Sequence, residues 1–124
     1  MAPLSAEGQE ACPVLRTAEL IQGKWMLLIL RDLSAGINRF STLERSLFGI
    51  SAKTLSERLK SLEKAGIVTR KSYPEVPPRV EYTLTPMGRD LIPLIDHMRE
   101  YGGKWLMAAG RAPGATPGDS KQGA

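Results

Sequence analysis

Apolar positions recur along this chain first with a helical period and then with an alternating one. Val14, Leu15, Ala18, Leu20 and Ile21 give one side to a short helix beginning after Cys12. Pro13 suits its first position, where a missing N–H costs nothing, and Gly23 breaks it. From Lys24 to Ser34, Trp25, Leu28, Ile29 and Leu33 share a face that Met26, Leu27 and Leu30 widen. That breadth predicts a deeply buried helix, ended by Gly36. Ser41 and Glu44 form a capping-box pattern and predict a third helix from Ser41, with Leu43, Leu47 and Phe48 as core residues and Gly49 as its stop. Ser51 caps a fourth helix over residues 51–65, whose stripe is Ala52, Leu55, Leu59 and Leu62, and Gly66 ends it.

The period then changes. Residues 67–73 and 79–84 read as strands, and in the second Val80, Tyr82 and Leu84 alternate with Arg79, Glu81 and Thr83. The intervening Pro74-Glu75-Val76-Pro77-Pro78 fits neither a helix nor a central strand and reads as a stiff hairpin tip. Thr85-Pro86 starts a last long helix carrying Leu91, Ile92, Leu94, Ile95, Met98, Trp105 and Leu106, with a kink expected at Pro93. The third and fourth helices are joined only by Gly49-Ile50. The expected fold is therefore mainly α with a small β-hairpin: a helix-turn-helix followed by a wing. One folded unit spans residues 12–108. Residues 1–11 are expected to be flexible, and residues 109–124, rich in Gly, Pro and Ala, to form a disordered tail.

Composition removes several classes. One Cys and one His exclude a disulfide framework and multi-Cys or multi-His metal centres, so no metal or other cofactor is expected. The longest apolar run, Trp25 to Leu30, is six residues, too short to cross a membrane. The N-terminus holds Glu7 and Glu10 and no apolar stretch, unlike a secretory signal, so the chain reads as cytoplasmic with no membrane partner. No phosphate-binding Gly loop is present, and His97 has no nucleophile at a recognisable spacing, so an enzyme is not expected.

The net charge is +4, from 17 basic and 13 acidic residues. Nine basic and five acidic residues lie between Arg39 and Glu81, while the rest of the chain balances at eight of each. A basic patch fits a polyanionic partner, and also an ordinary solvated surface. At about 100° per residue, Lys53, Glu57, Lys60 and Lys64 lie opposite the leucine stripe of the fourth helix, flanked by Thr54 and Ser61 on one side and Ser56 on the other. Lys and Thr hydrogen-bond bases, Glu57 accepts from a cytosine amino group, and Arg58, nearer the stripe, reaches sideways to phosphate. The bland alternative is a solvent face on which Glu57 bridges Lys53 or Lys60. In the hairpin, Arg70, Lys71 and Arg79 cluster beside Tyr73, where they serve either to hold a DNA backbone or minor groove or to blunt an exposed strand edge.

The chain resembles the HxlR-type regulators, winged helix-turn-helix proteins related to the MarR group. The matching strings are Cys12-Pro13-Val14, Ile21-x-Gly23-Lys24-Trp25, Leu28-Ile29-Leu30, Arg39-Phe40 with Leu43, and Gly49-Ile50-Ser51 with Lys53 to Leu55. They continue through Leu59-x-x-Leu62-Glu63-x-x-Gly66, Tyr73-x-x-Val76-Pro77-Pro78-x-Val80-Glu81-Tyr82 and Leu84-Thr85-x-x-Gly88. The resemblance runs from Cys12 to about Trp105. It implies a homodimer, built largely from the first and last helices, that binds an inverted-repeat operator in double-stranded DNA. Ser51, Lys53 and Thr54 fall where the family's recognition helix begins, with Glu57, Arg58 and Lys60 following. Arg39-Phe40 corresponds to a short strand against the wing, which places Arg39 with Arg70, Lys71 and Arg79 as backbone contacts.

Cys12 is the only residue with thiol redox chemistry. At the start of a helix and near Arg16, a thiolate would be favoured, and in some members resembling this chain a cysteine at this position senses oxidants or electrophiles. A lone thiol can bridge across a dimer, be alkylated, or be capped by a small thiol. The alternative is a small apolar residue packing the first helix. Two further readings stay open: a ligand-gated regulator whose small-molecule inducer sits near Trp25, Tyr101 or Trp105, and a winged helix that docks protein through its apolar last helix.

Overall fold

The computed structural model describes residues 11–107. The expectations for residues 1–10 and 108–124 lie outside them. Helices α1 (Pro13–Leu20), α2 (Lys24–Ser34), α3 (Phe40–Ser46) and α4 (Ala52–Lys64) precede strands β1 (Val68–Tyr73) and β2 (Arg79–Leu84), and α5 (Pro86–Arg89) and α6 (Ile92–Trp105) follow. This is the expected helix-turn-helix with a two-stranded antiparallel wing.

Helix α2 is the centre of the packing. It lies against α3, α4, β2 and α6, and its Ile29 and Leu30 have no exposed surface. Leu43 of α3, Leu55, Leu59 and Leu62 of α4, and Ile67 and Val68 at the entry to the wing complete the fully buried set. Each such side chain contributes about 1.5–3 kcal/mol on burial. Asp32 is buried with them, and its Oδ1 accepts two hydrogen bonds from the Arg31 guanidinium, at 3.0 and 3.1 Å.

The wing is fastened at its base by Thr85. Its backbone N–H donates to the Ile67 carbonyl at 3.0 Å, and its hydroxyl donates to the Gly66 carbonyl at 2.6 Å. The same oxygen accepts from the Gly88 N–H at 3.1 Å, capping α5. One residue thus ties the start of β1 to the end of β2. Along the strands, Val68 pairs with Leu84, Arg70 with Tyr82, Lys71 with Glu81 and Tyr73 with Arg79. A short third segment joins the outer edge of β2: Arg39 bridges Glu81 antiparallel, and the Tyr82 N–H donates to the Asn38 carbonyl at 2.9 Å.

Four local expectations need correction. Helix α3 starts at Phe40 rather than Ser41, and no Ser41–Glu44 capping box forms. The bridge to Glu81 holds Arg39 extended, at φ −110° and ψ 149°, so the helix starts immediately after it. Consequently the segment that meets the wing is Asn38-Arg39 rather than Arg39-Phe40, and Phe40 begins the helix. Phe48, expected in the core, is 95% exposed, because the turn that follows Leu47 leads away from the interior. Ala52 is exposed as well, so the α4 stripe is Leu55, Leu59 and Leu62. The last helix is divided. Pro93 cannot bond the Arg89 carbonyl and its ring would strike it, so α5 ends and α6 restarts with Pro93 in its first turn.

A Cβ on Gly88 would overlap the Ile67 carbonyl oxygen and crowd Ile67 Cγ2 and Leu84 Cδ2, each at 3.1 Å. The obstruction is backbone and does not swing away. Gly88→Ala is therefore expected to destabilise the fold by about 1–3 kcal/mol, as overpacking does. Thermal or urea unfolding checks this, and an unchanged midpoint would show that the turn tolerates the methyl.

Candidate nucleic-acid interface

Helix α4 opens on Ser51, whose Oγ accepts from the Thr54 N–H at 3.0 Å and donates to Thr54 Oγ1 at 3.0 Å. The cap satisfies one amide of the first turn and fixes the Thr54 rotamer. Because Leu55, Leu59 and Leu62 are fully buried, the opposite side of the helix faces outward. There Lys53, Glu57, Lys60 and Lys64 are all exposed. Among the described residues, no salt bridge joins Glu57 to Lys53 or Lys60, at ion-pair distances of 4.0 Å or less. The face therefore presents three ammonium groups and one carboxylate not committed to one another, at spacings that follow one side of a helix.

Arg58 behaves differently. It is half-buried, its Nε is enclosed without a hydrogen-bond partner, and it lines a recess of about 580 Å³ with Glu19, Gln22, Met26 and Ser61. It belongs to the flank of α4 that meets the α1–α2 connection, not to the outward face.

The register divides the expected wing cluster. Directly opposed residues share a face of an antiparallel pair. Lys71, Tyr73, Arg79 and Glu81 therefore lie on one face, and Arg70, opposite Tyr82, on the other. Arg70 and Lys71 are exposed. Arg79 is committed: its Nη1 donates to Glu81 at 2.9 Å, its Nη2 donates to Glu75 at 2.7 Å, and its guanidinium lies 3.8 Å from the Tyr73 ring centroid. Lys71 approaches the same ring at 5.1 Å. Partial desolvation works to lower the Arg79 pKa, but the hydrogen bond and charge of Glu75, joined by Glu81 and Tyr73, outweigh it and hold the group above its ordinary value. Glu81 also lies 3.7 Å from Arg39. The sequence reading singled out the cations and missed Glu75 and Glu81. The alternation that places Glu81 two residues from Arg79, on the same face, was the available signal.

Outside this surface, Cys12 is a free, partly exposed thiol at the N-cap of α1, with its carbonyl accepting from Arg16 N–H at 3.0 Å. Val14, Leu94, Met98, Tyr101, Trp105, Leu106 and Met107 leave α1, α6 and the residues just past α6 with exposed apolar surface. No described helix is long and apolar enough to cross a membrane.

Comparison with known proteins agrees with this geometry. The model of the HxlR-like helix-turn-helix family matches residues 20–109. An uncharacterized HTH-type transcriptional regulator of Synechocystis sp. is 45% identical over 95 residues, covering 77% of this chain and 70% of the relative. YdeP of Bacillus subtilis, likewise an uncharacterized HTH-type transcriptional regulator, is 40% identical over 101 residues, 82% of this chain and 79% of its own length. Among solved structures, the redox regulator HypR in its reduced form matches with a TM-score of 0.72 at 39% identity, covering 75% of this chain and 92% of that one. Diamide-treated YodB from Bacillus subtilis matches with a TM-score of 0.63 at 37% identity, covering 76% and 94%. The family and the two curated relatives are transcriptional regulators, not enzymes. The capped helix with its outward basic face, the wing beside it and the match over most of the chain place this protein in the HxlR-like helix-turn-helix family of transcriptional regulators.

Proposed function

We propose that this chain binds an inverted-repeat operator as a homodimer in the cytoplasm, with α4 in the major groove. The outward face of α4, where Lys53, Glu57 and Lys60 stand exposed with no ion pair between them, is the observation that carries the reading. Lys53, Thr54 and Glu57 read base edges near the N-terminus of the helix, where a recognition helix makes its contacts. Ser51 and the first-turn amides favour phosphate, and Lys60 follows the backbone. Arg39, Arg70 and Lys71 hold phosphate or the minor groove from the wing side, and Arg58 stands at the flank. In a dimer the two recognition helices lie about 34 Å apart, or a multiple of that, and the local surplus of charge is doubled on the DNA side.

Replacing Lys53 and Thr54 together with Ala is expected to cost roughly 1–3 kcal/mol per lost base contact and to blur sequence preference. Footprinting of the variant on the promoter of its own gene and on sequences selected by the wild type measures this. Protection equal to wild type would remove α4 from the reading role.

The exposed apolar side of α6, with Met98, Tyr101 and Trp105, and that of α1 support dimerisation through the ends of the chain. Met98→Glu with Trp105→Glu is expected to shift the protein from dimer to monomer in sedimentation, and a persistent dimer would place the interface elsewhere. Burying about 20–30 cal/mol per Å² of such surface is the driving force.

Cys12 supports a thiol-based signal, since it is partly exposed and two structural relatives are a redox regulator and a diamide-treated protein. As the sole cysteine it has two routes, a Cys12–Cys12 bridge between protomers or capping by a small thiol. Diamide is expected to yield a disulfide-linked dimer on a non-reducing gel, or a mass adduct with a small thiol present, together with altered DNA affinity. Cys12→Ser should abolish all three. No dimer band, no adduct and unchanged affinity would eliminate the signal.

A further inference from the structure

Arg79 stood among the residues expected to hold phosphate, yet its guanidinium is already occupied on two edges and one face by Glu75, Glu81 and Tyr73. Only 27% of the side chain is exposed. Glu81 is shared: it accepts from Arg79 at 2.9 Å and lies 3.7 Å from Arg39, whose backbone it also bridges. Arg39 in turn is the N-cap of α3. One carboxylate therefore touches both the strut at the wing tip and the residue that starts the helix-turn-helix.

We propose that Arg79 and Glu81 are positioning residues, which fix the wing against the helix-turn-helix before DNA arrives and leave Arg39, Arg70 and Lys71 as the wing-side phosphate ligands. The inference rests on the DNA-binding reading above. A preset wing angle keeps the ordering of the hairpin from being charged against binding. Lysine cannot substitute for Arg79, because a point charge does not fork between two carboxylates while stacking on a ring. Glu81 gives the sharper contrast. Removing a carboxylate from a surface that faces a polyanion strengthens binding by simple electrostatics. Here its removal unties Arg39 from the wing and leaves Arg79 with Glu75 alone of its two carboxylates, and binding weakens.

The test uses the full-length protein and a duplex that the wild type selects from a random pool, with affinity measured across a salt series. Arg79→Lys and Glu81→Gln are each expected to bind about tenfold more weakly with the salt slope of the wild type. The double variant should be no weaker than the worse single one, since the pair acts as a unit. Arg70→Ala and Lys71→Ala should each reduce the slope by about 0.9, as a lost phosphate contact does. Melting curves check that each variant is folded, and Arg79→Lys with Arg79→Ala carries the test if Glu81→Gln is not. Two results overturn the inference: Arg79→Lys binding like wild type while Arg79→Ala reduces the slope, or tighter binding by the Glu81 variant. If the wild type itself enriches no sequence, the DNA-binding reading fails, and that outcome is visible before any wing variant is measured.

Discussion

Leu55, Leu59 and Leu62 have to be buried on one side of a helix whose other side carries Lys53, Glu57 and Lys60. Ile29 and Leu30 of α2, Leu43 of α3 and Ile67 and Val68 at the base of the wing cover that stripe completely. Truncating any one of the three leucines to Ala removes about 2–5 kcal/mol, a large fraction of the stability of a small domain. The penalty fixes the rotation of α4 about its axis. Because the helix cannot turn without exposing leucine, its polar side cannot turn away from the outside. The orientation of this polar face is thus a consequence of core packing and needs no polar contact of its own.

The wing is held by a different kind of force. Its base is tied by hydrogen bonds through Thr85 and by the close approach of Gly88 to the Ile67 carbonyl, and both depend on geometry more than on buried area. This gives a physical reason for the Leu84-Thr85-x-x-Gly88 string. Thr85 supplies a hydroxyl that reaches two segments at once, and only a residue without a Cβ fits three positions later. The outer half of the wing rests on charge. Glu75, Arg79, Glu81 and Arg39 form a chain of partly exposed ion pairs, each of modest worth alone and more directional where a guanidinium is fixed by two carboxylates and a ring.

Charge distribution follows the same division. The surplus of basic residues lies between Arg39 and Glu81, and the balanced ends carry the exposed apolar surface of α1 and α6. Within the surplus, not every cation is available to a partner. Lys53 and Lys60 stand free of salt bridges among the described residues, whereas Arg79 is spent inside the wing and Arg58 is half-buried against the α1–α2 connection. A count of basic residues overstates the surface a polyanion meets.

Periodicity by itself determined the order of the elements, the hairpin, the buried side of α2 and α4 and the outward side of α4. These depend on local repeats and on residues such as Pro13, Ser51 and Gly66 that act within one turn. It could not determine features set by neighbours distant in sequence. Helix α3 starts at Phe40 because Glu81, far along the chain, holds Arg39 extended. Phe48 is exposed because of the path of a turn, although its side chain is as apolar as its buried neighbours. Pro93 falls in the first turn of α6 instead of kinking one long helix, because it cannot bond the Arg89 carbonyl and the helix ends and restarts before it. Arg70, Lys71 and Arg79 look alike in sequence, yet strand register puts Arg70 on one face and Lys71 with Arg79 on the other, and of these three only Arg79 is held by two carboxylates, Glu75 and Glu81. Local pattern tells which residues form an element and which side of it is buried. Which charges remain free is decided by pairing across the fold, since an ion pair forms wherever the backbone brings its partners within reach.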